Sequence, residues 1–253
     1  SATCYPAFKI KTIDNEKYID GGFYDNVPIQ LAIDMGADNV IVVDLQAVGF
    51  KRKVKNFSGN MTIIKPNNKL MNMLEFNAEK SRRAIKLGYN DTIKKYKMLD
   101  GIKFTFKKNN LEKNYKKTHA SFKKYLQNDL SSANALILKK YSKFLNDGND
   151  SKKEFDKLIE NCGNILMLPD EEIYDINKFN KLLKKELAQI NLDEEIKIDK
   201  NINDIKKLLD KRKIIKHIYI VLEKEDYNKK IINTIVDIFS KEYLIALYLK
   251  SIK

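Results

Sequence analysis

A chain of 253 residues with 43% hydrophobic side chains can bury a sizeable core in one domain or two, and no run approaches the roughly 18–20 apolar residues of a membrane span. Two cysteines (Cys4, Cys162) and two histidines (His119, His217) exclude a disulfide framework and offer no metal-ligand spacing, so neither a metal nor another cofactor is expected. The formal charge of +14 is spread along the chain, with 19 basic and 11 acidic residues over 1–110 and 29 and 23 over 111–253. Lysines that solvate helix surfaces are the simplest account of it; attraction to an anionic membrane surface is a secondary one, and no nucleic-acid-binding motif accompanies the charge.

In chain order, residues 9–20 read as extended structure interrupted by a turn at Asp14-Asn15, with Lys17 to Asp20 as a strand. Asp20-Gly21-Gly22 then marks a tight turn that leaves a carboxylate at the strand tip, where open α/β sheets place their chemistry. Pro28 suits the first turn of a helix over 28–35, and Gly36 is its left-handed cap. Val40 to Leu45 is a continuous, largely β-branched run, which predicts a strand buried on both faces. Strand, helix and strand at this spacing predict a βαβ unit with parallel pairing. Met61 to Pro66 reads as a further strand, 72–97 as a long helix with Gly88 inside it, and 101–106 as a short extended piece. From about residue 111 apolar residues recur at helical steps, giving helices over 112–128, 130–146, 151–162, 177–189, 201–224 and 228–250. Asn146 to Asp150 is a turn, and Ser151 with Glu154 has the spacing of a capping box.

The stretch Tyr18-Ile19-Asp20-Gly21-Gly22-Phe23-Tyr24-Asp25-Asn26-Val27-Pro28 resembles the patatin-like phospholipases, whose catalytic aspartate lies in an Asp-Gly-Gly or Asp-Gly-Ala motif. Upstream, Ser1 to Phe8 is similar to the family's small-residue, proline and phenylalanine segment; downstream, Asp25 to Pro28 resembles its asparagine-proline element, and Ala37 to Asp44 its next strand. The resemblance covers roughly residues 1–106 and omits the family's Gly-x-Ser-x-Gly nucleophile elbow: no serine of this chain stands between glycines at that spacing, and the sequence opens abruptly at Ser1. It implies the C-terminal part of a phospholipase-type acyl hydrolase acting through a Ser-Asp dyad. Asp20 would be the base, and the serine would come from an upstream segment, as part of the same protein or as a companion fragment. The substrate would be a phospholipid or related lipid ester, and this chain alone would be inactive. Gly21 and Gly22 would let the turn approach the elbow, and Asn26 would brace the loop.

The fold expected is therefore α/β: a partial patatin-like three-layer sheet with flanking helices over 1–110, followed by a helical bundle or cap over 111–253. Simpler roles stand beside the functional ones. Asp25 reads as a loop or helix-capping carboxylate, Asp44 as a structural hydrogen-bonding residue, Cys4 as a small buried hydrophobe, and His119 and His217 as surface residues. The Met71, Met73 and Phe76 cluster reads as core before lipid port, and the last helix's stripe as a packing face before a bilayer-bound one. The alternative function is a non-catalytic module that binds a membrane surface or a protein partner. Cytoplasmic and secreted locations with peripheral membrane association both remain open.

Overall fold

The computed structural model describes residues 5, 6, 8–72, 75–131, 133–192, 210–224 and 229–252. Cys4, Met73, most of the Ser1 to Phe8 segment and the first part of the helix expected over 201–224 lie outside the described residues. The protein is mixed α/β and divides into two compact units, 1–95 and 96–253. The division falls before the composition change at residue 111, so the extended pieces just after residue 96 belong with the helices. Among the described residues, no helix is long and apolar enough to cross a membrane.

In the first unit, strands β1 (Lys11–Ile13) and β2 (Glu16–Tyr18) form an antiparallel hairpin in the register Lys11↔Tyr18 to Ile13↔Glu16. Asp14 and Asn15 sit at φ 49° and 62°, the left-handed pair of a type I′ turn, whose twist matches that of the flanking strands. A 3-10 turn, Gly21–Phe23, leads to helix α1 (Ile29–Asp34). Gly36 at φ 90° closes α1: its N–H reaches the Ile33 carbonyl at 2.9 Å while the Ala37 N–H reaches Ala32 at 3.1 Å, a Schellman pair. Strands β3 (Asn39–Val43) and β4 (Asn60–Ile64) pair in parallel, from Asn39↔Asn60 to Val43↔Ile64, and helix α2 (Ala78–Lys95) follows, continuous through Gly88. Asp91 of α2 is buried and accepts from the backbone (3.1 Å) and amide (2.7 Å) N–H groups of Asn67 and from Lys94 at 3.1 Å, pinning the segment after β4 to the helix.

Three expectations are corrected here. The strand before the Asp-Gly-Gly turn is not the first strand of a βαβ unit, because β2 pairs with β1 and the parallel partner of β3 is β4. The two-residue turn lets β2 close locally with its nearest neighbour, at little loop-closure cost. Nor is β3 buried on both faces. Val40 and Val42 are buried, while Ile41 and Val43 on the other face are 63% and 62% exposed. Phe76 is also exposed, which removes it from the expected core cluster.

The second unit contains a three-stranded sheet, β5 (Leu99–Asp100), β6 (Thr105–Lys107) and β7 (Ile173–Tyr174), with β6 central, antiparallel to β5 and parallel to β7. Around it stand α3 (Asn110–Asp129), α4 (Ala135–Leu145), α5 (Asn149–Ile165), α6 (Ile176–Gln189), α7 (Lys211–Glu223), α8 (Lys229–Ile238) and α9 (Ser240–Ser251). Helix α9 is apolar on every side: Tyr243, Ile245, Ala246, Leu247, Tyr248 and Leu249 are all buried, as an all-round hydrophobic helix at the centre of a core must be. It packs against α3, α5, α6, α7 and α8. Phe104, Phe106, Tyr174 and Phe179 form an edge-to-face cluster, with centroids 5.0–6.3 Å apart, that ties the sheet to α6.

The single helix expected over 228–250 is two helices that break at Phe239 (φ −114°, ψ 43°). Donors from α4 take carbonyls of the last turn of α8: the Tyr141 hydroxyl donates to Val236 O at 2.6 Å and Lys140 Nζ to Asp237 O at 3.2 Å. Chain direction can change there without stranding those acceptors.

Candidate functional site

Asp20 lies half-buried at the N-terminus of the Gly21–Phe23 turn, with φ −56° and ψ 135°. Its Oδ1 accepts the Gly22 N–H at 2.7 Å. Among the described residues no serine or histidine donates to it, and Oδ2 has no hydrogen-bond partner, so one oxygen orients the carboxylate while the other is open to an incoming donor. Chemically this is what a proton acceptor requires, a fixed carboxylate with a spare lone pair.

The loop that follows β3 holds this turn in place. Asn26 donates its backbone N–H to Phe50 O (2.6 Å) and its side-chain amide to Ala47 O (3.0 Å), while Phe50 N–H returns to Gly22 O (3.3 Å). These bonds join Asn26, the residue expected to brace the loop, to the segment after β3. A Cβ at Gly49 would stand 3.0 Å from Asn26 and from Gly22 O, so the crossing is close enough to need glycine. The two motif glycines differ. A Cβ at Gly22 would meet Asp20 Oδ1 at 3.0 Å and Asn26 Oδ1 at 3.2 Å, whereas at Gly21 nothing lies within 4 Å. A methyl at Gly22 would therefore press on the carboxylate oxygen that its own N–H holds and on the Asn26 amide, whereas one at Gly21 would meet open space.

Two residues that the sequence reading did not single out complete the frame. Arg52 stacks its guanidinium 3.6 Å above the Tyr24 ring, donates Nε–H to Tyr24 O at 3.2 Å, and gives its backbone N–H to Asp25 Oδ1 at 3.4 Å. Lys51 Nζ grips both oxygens of the buried Asp44 at 2.8 and 2.9 Å. That contact, helped by the Gln46 N–H at 2.9 Å, holds the Asp44 carboxyl below its usual range. Asp44 is therefore a structural anchor at the end of β3. Asp25 is a loop carboxylate, accepting also from Val27 N–H at 3.2 Å. The signal for Arg52 and Lys51 was the basic run Lys51-Arg52-Lys53, whose partners are set by the chain crossing.

In the second unit, His119 and Ser151 are both buried, against the expectation of a surface histidine and a capping serine. Gly148 takes the N-cap of α5, and Ser151 turns inward, with Oγ 3.1 Å from His119 Nε2 and accepting from the Tyr115 hydroxyl at 3.2 Å. His119 Nδ1 faces Asp147 Oδ1 at 4.0 Å, so the residue types of a Ser-His-Asp triad stand in sequence. The geometry is not catalytic. Nε2 is also 3.3 Å from Phe144 O, a pure acceptor that keeps the proton on Nε2 and leaves no lone pair there for Ser151. The 4.0 Å step exceeds hydrogen-bond reach, and Asp147 is 77% exposed. Burial pushes the His119 pKa down, which favours the neutral ring. His217 is buried as well, on the inner face of α7 with Ile214, Ile218 and Val221. Among the described residues no group of His, Cys, Asp and Glu has the arrangement of a metal site.

No protein-family model, no curated protein and no solved structure matches this chain.

Proposed function

We propose that the chain is the C-terminal part of a patatin-like lipid acyl hydrolase, with Asp20 as the base of a Ser-Asp dyad whose serine is supplied by a segment upstream of this sequence. In that reaction the serine Oγ bonds to the ester carbonyl carbon while Asp20 accepts the hydroxyl proton. The proton then passes to the departing alkoxide as the ester C–O bond breaks. Water next attacks the acyl-enzyme, gives a proton back through Asp20, and releases the fatty acid and the free serine. No cofactor is needed for these steps. The observation that carries the reading is the Asp20 carboxylate, fixed through Oδ1 by Gly22 in a loop clamped by Asn26 and Phe50, with no hydrogen bond to Oδ2 among the described residues. The larger three-layer sheet belongs to the same proposal: Ile41 and Val43 on the uncovered face of β3 are the side chains that a further layer would bury.

The test is fatty-acid release from phospholipid vesicles by the natural full-length polypeptide and its Asp20→Asn variant. Loss of the base lowers turnover by roughly 100- to 10,000-fold with folding unchanged; turnover retained in the variant removes Asp20 from the mechanism. A second reading, a non-catalytic membrane- or protein-binding module, draws on the formal charge of +14, which attracts anionic surfaces. Vesicle binding without hydrolysis by the full-length polypeptide would select it.

A further inference from the structure

Between α3 and α6 lies a cleft of about 390 Å³ walled by Lys117 on one helix and Lys181 and Lys184 on the other. Its base includes Asn114, Thr118 and Asn180. The base is a closed hydrogen-bonded ring. The Asn114 amide donates to the Tyr248 hydroxyl (3.1 Å), that hydroxyl donates to Asn180 Oδ1 (2.8 Å), and the Asn180 amide donates to Asn114 Oδ1 (3.1 Å). Asn114, Thr118 and Tyr248 are buried, so the ring is fixed by the core. Each of the two amide nitrogens spends one N–H in the ring and keeps a second. None of the three lysines forms an ion pair with a carboxylate among the described residues, unlike Lys116 and Lys152, which share Glu112. An adjoining cleft of about 220 Å³ carries Lys113 and one carboxylate, Asp175, whose Oδ1 caps α6 through the Asn177 N–H at 3.0 Å.

We infer that this cleft binds a phosphate group. Three lysine side chains line a concave space whose base carries two amide groups held by the hydrogen-bonded ring, and lysine serves phosphate as a compact point charge. Asp175 repels an anion at the other end, so the phosphate sits between Lys117, Lys181 and Lys184, and the remaining volume accommodates the group attached to it. The phosphate belongs either to a small soluble phosphomonoester or to a lipid headgroup. The site is in the helical unit and is independent of whether Asp20 is a base, so either conclusion stands if the other fails.

The experiment titrates the full chain with glycerol phosphate by calorimetry, and separately measures co-flotation with phosphatidylcholine vesicles doped with phosphatidic acid or with phosphatidylserine. The cleft variant is Lys117→Gln with Lys181→Gln and Lys184→Gln. The control, Lys124→Gln with Lys139→Gln and Lys185→Gln, removes the same charge from exposed positions outside the cleft. Binding of glycerol phosphate that weakens about tenfold or more in the cleft variant and is unchanged in the control identifies a soluble ligand. The same pattern confined to phosphatidic acid vesicles identifies a headgroup. Absence of binding in both arms, or equal weakening in cleft and control variants as general charge attraction predicts, overturns the proposal.

Discussion

Two glycines inside helices make opposite predictions for the same substitution. Replacing an interior helical glycine by alanine gains about 1 kcal/mol from backbone entropy and propensity when the new methyl finds room. At Gly88 in α2 nothing lies within 4 Å of an added Cβ. At Gly163 in α5 the same atom would stand 2.7 Å from the Phe179 ring and 2.8 Å from Phe104. Carbon contacts are comfortable near 3.5–4.0 Å, so the two rings must retreat by roughly 1 Å. Both are fully buried in the four-ring cluster, where neither has space to turn. Overpacking of that kind costs roughly 1–3 kcal/mol, which exceeds the helical gain. Gly88→Ala should therefore stabilise the first unit by about 1 kcal/mol, and Gly163→Ala should destabilise the second by up to about 2 kcal/mol net. Urea denaturation followed by far-UV circular dichroism, with hydrogen exchange to assign each transition to its unit, reads both. A stabilising Gly163→Ala would mean that the α5 backbone does not press on the Phe104 and Phe179 rings, and the close packing of α5 on β6 and α6 would be wrong.

Gly49→Ala should loosen the clamp on the Asp20 turn and cost about 1–2 kcal/mol, seen as faster hydrogen exchange at the Asn26 and Phe50 amides, while Gly21→Ala should leave both rates unchanged. Burial raises the Asp156 pKa to about 6 despite Lys152 nearby, and Asp156 Oδ1 is buried without a hydrogen-bond partner. Because the folded value lies above the ordinary 3.8, this group favours folding at pH below about 4, and that contribution is lost as pH rises to about 6. Asp156→Asn should thus stabilise the protein by roughly 1 kcal/mol at pH 7.5, after allowance for solvent screening, and the gain should shrink towards pH 4. For His119 the shift is downward, so the unfolded chain takes up a proton first. Its contribution is complete above the ordinary value of 6.5 and is lost as pH falls below it towards the lower folded pKa. A His119→Gln variant should show a flatter stability profile from pH 7 to 5; an unchanged slope would assign the acid sensitivity to other groups.

Local signals were legible where one residue decides the geometry. Gly36 ends α1, Asp14-Asn15 turns the hairpin, a turn ending at Gly148, two residues shorter than expected, separates α4 from α5, and the helical periodicity beyond residue 111 places α3 to α6 within a few residues. What failed depended on partners remote in sequence. The Val40 to Val43 run specifies a strand, but which of its faces is covered depends on whether another layer lies over it. Ser151 and Glu154 have capping-box spacing, yet Gly148 begins the helix and the serine serves His119 instead. His119 looked exposed among lysines. Its spacing from Leu111, Phe122 and Leu126 puts it on the inner face of α3, a pattern that charge density hid. The phosphate cleft joins residues of α3, α6 and α9 that are more than sixty positions apart, and no local motif could mark it.

Helix α9 has one further consequence, for synthesis. The apolar faces of α3, α5, α6 and α7 are completed by residues 240–251, which leave the ribosome after all of them. At about 5–20 residues per second, roughly seven to thirty seconds separate translation of Asn110 from that of Ser251. Throughout that interval the nascent helices lack the segment that fills their common core. The native packing of the second unit can therefore be completed only after residues 240–251 have emerged, and until then the apolar faces of its earlier helices lack their central partner.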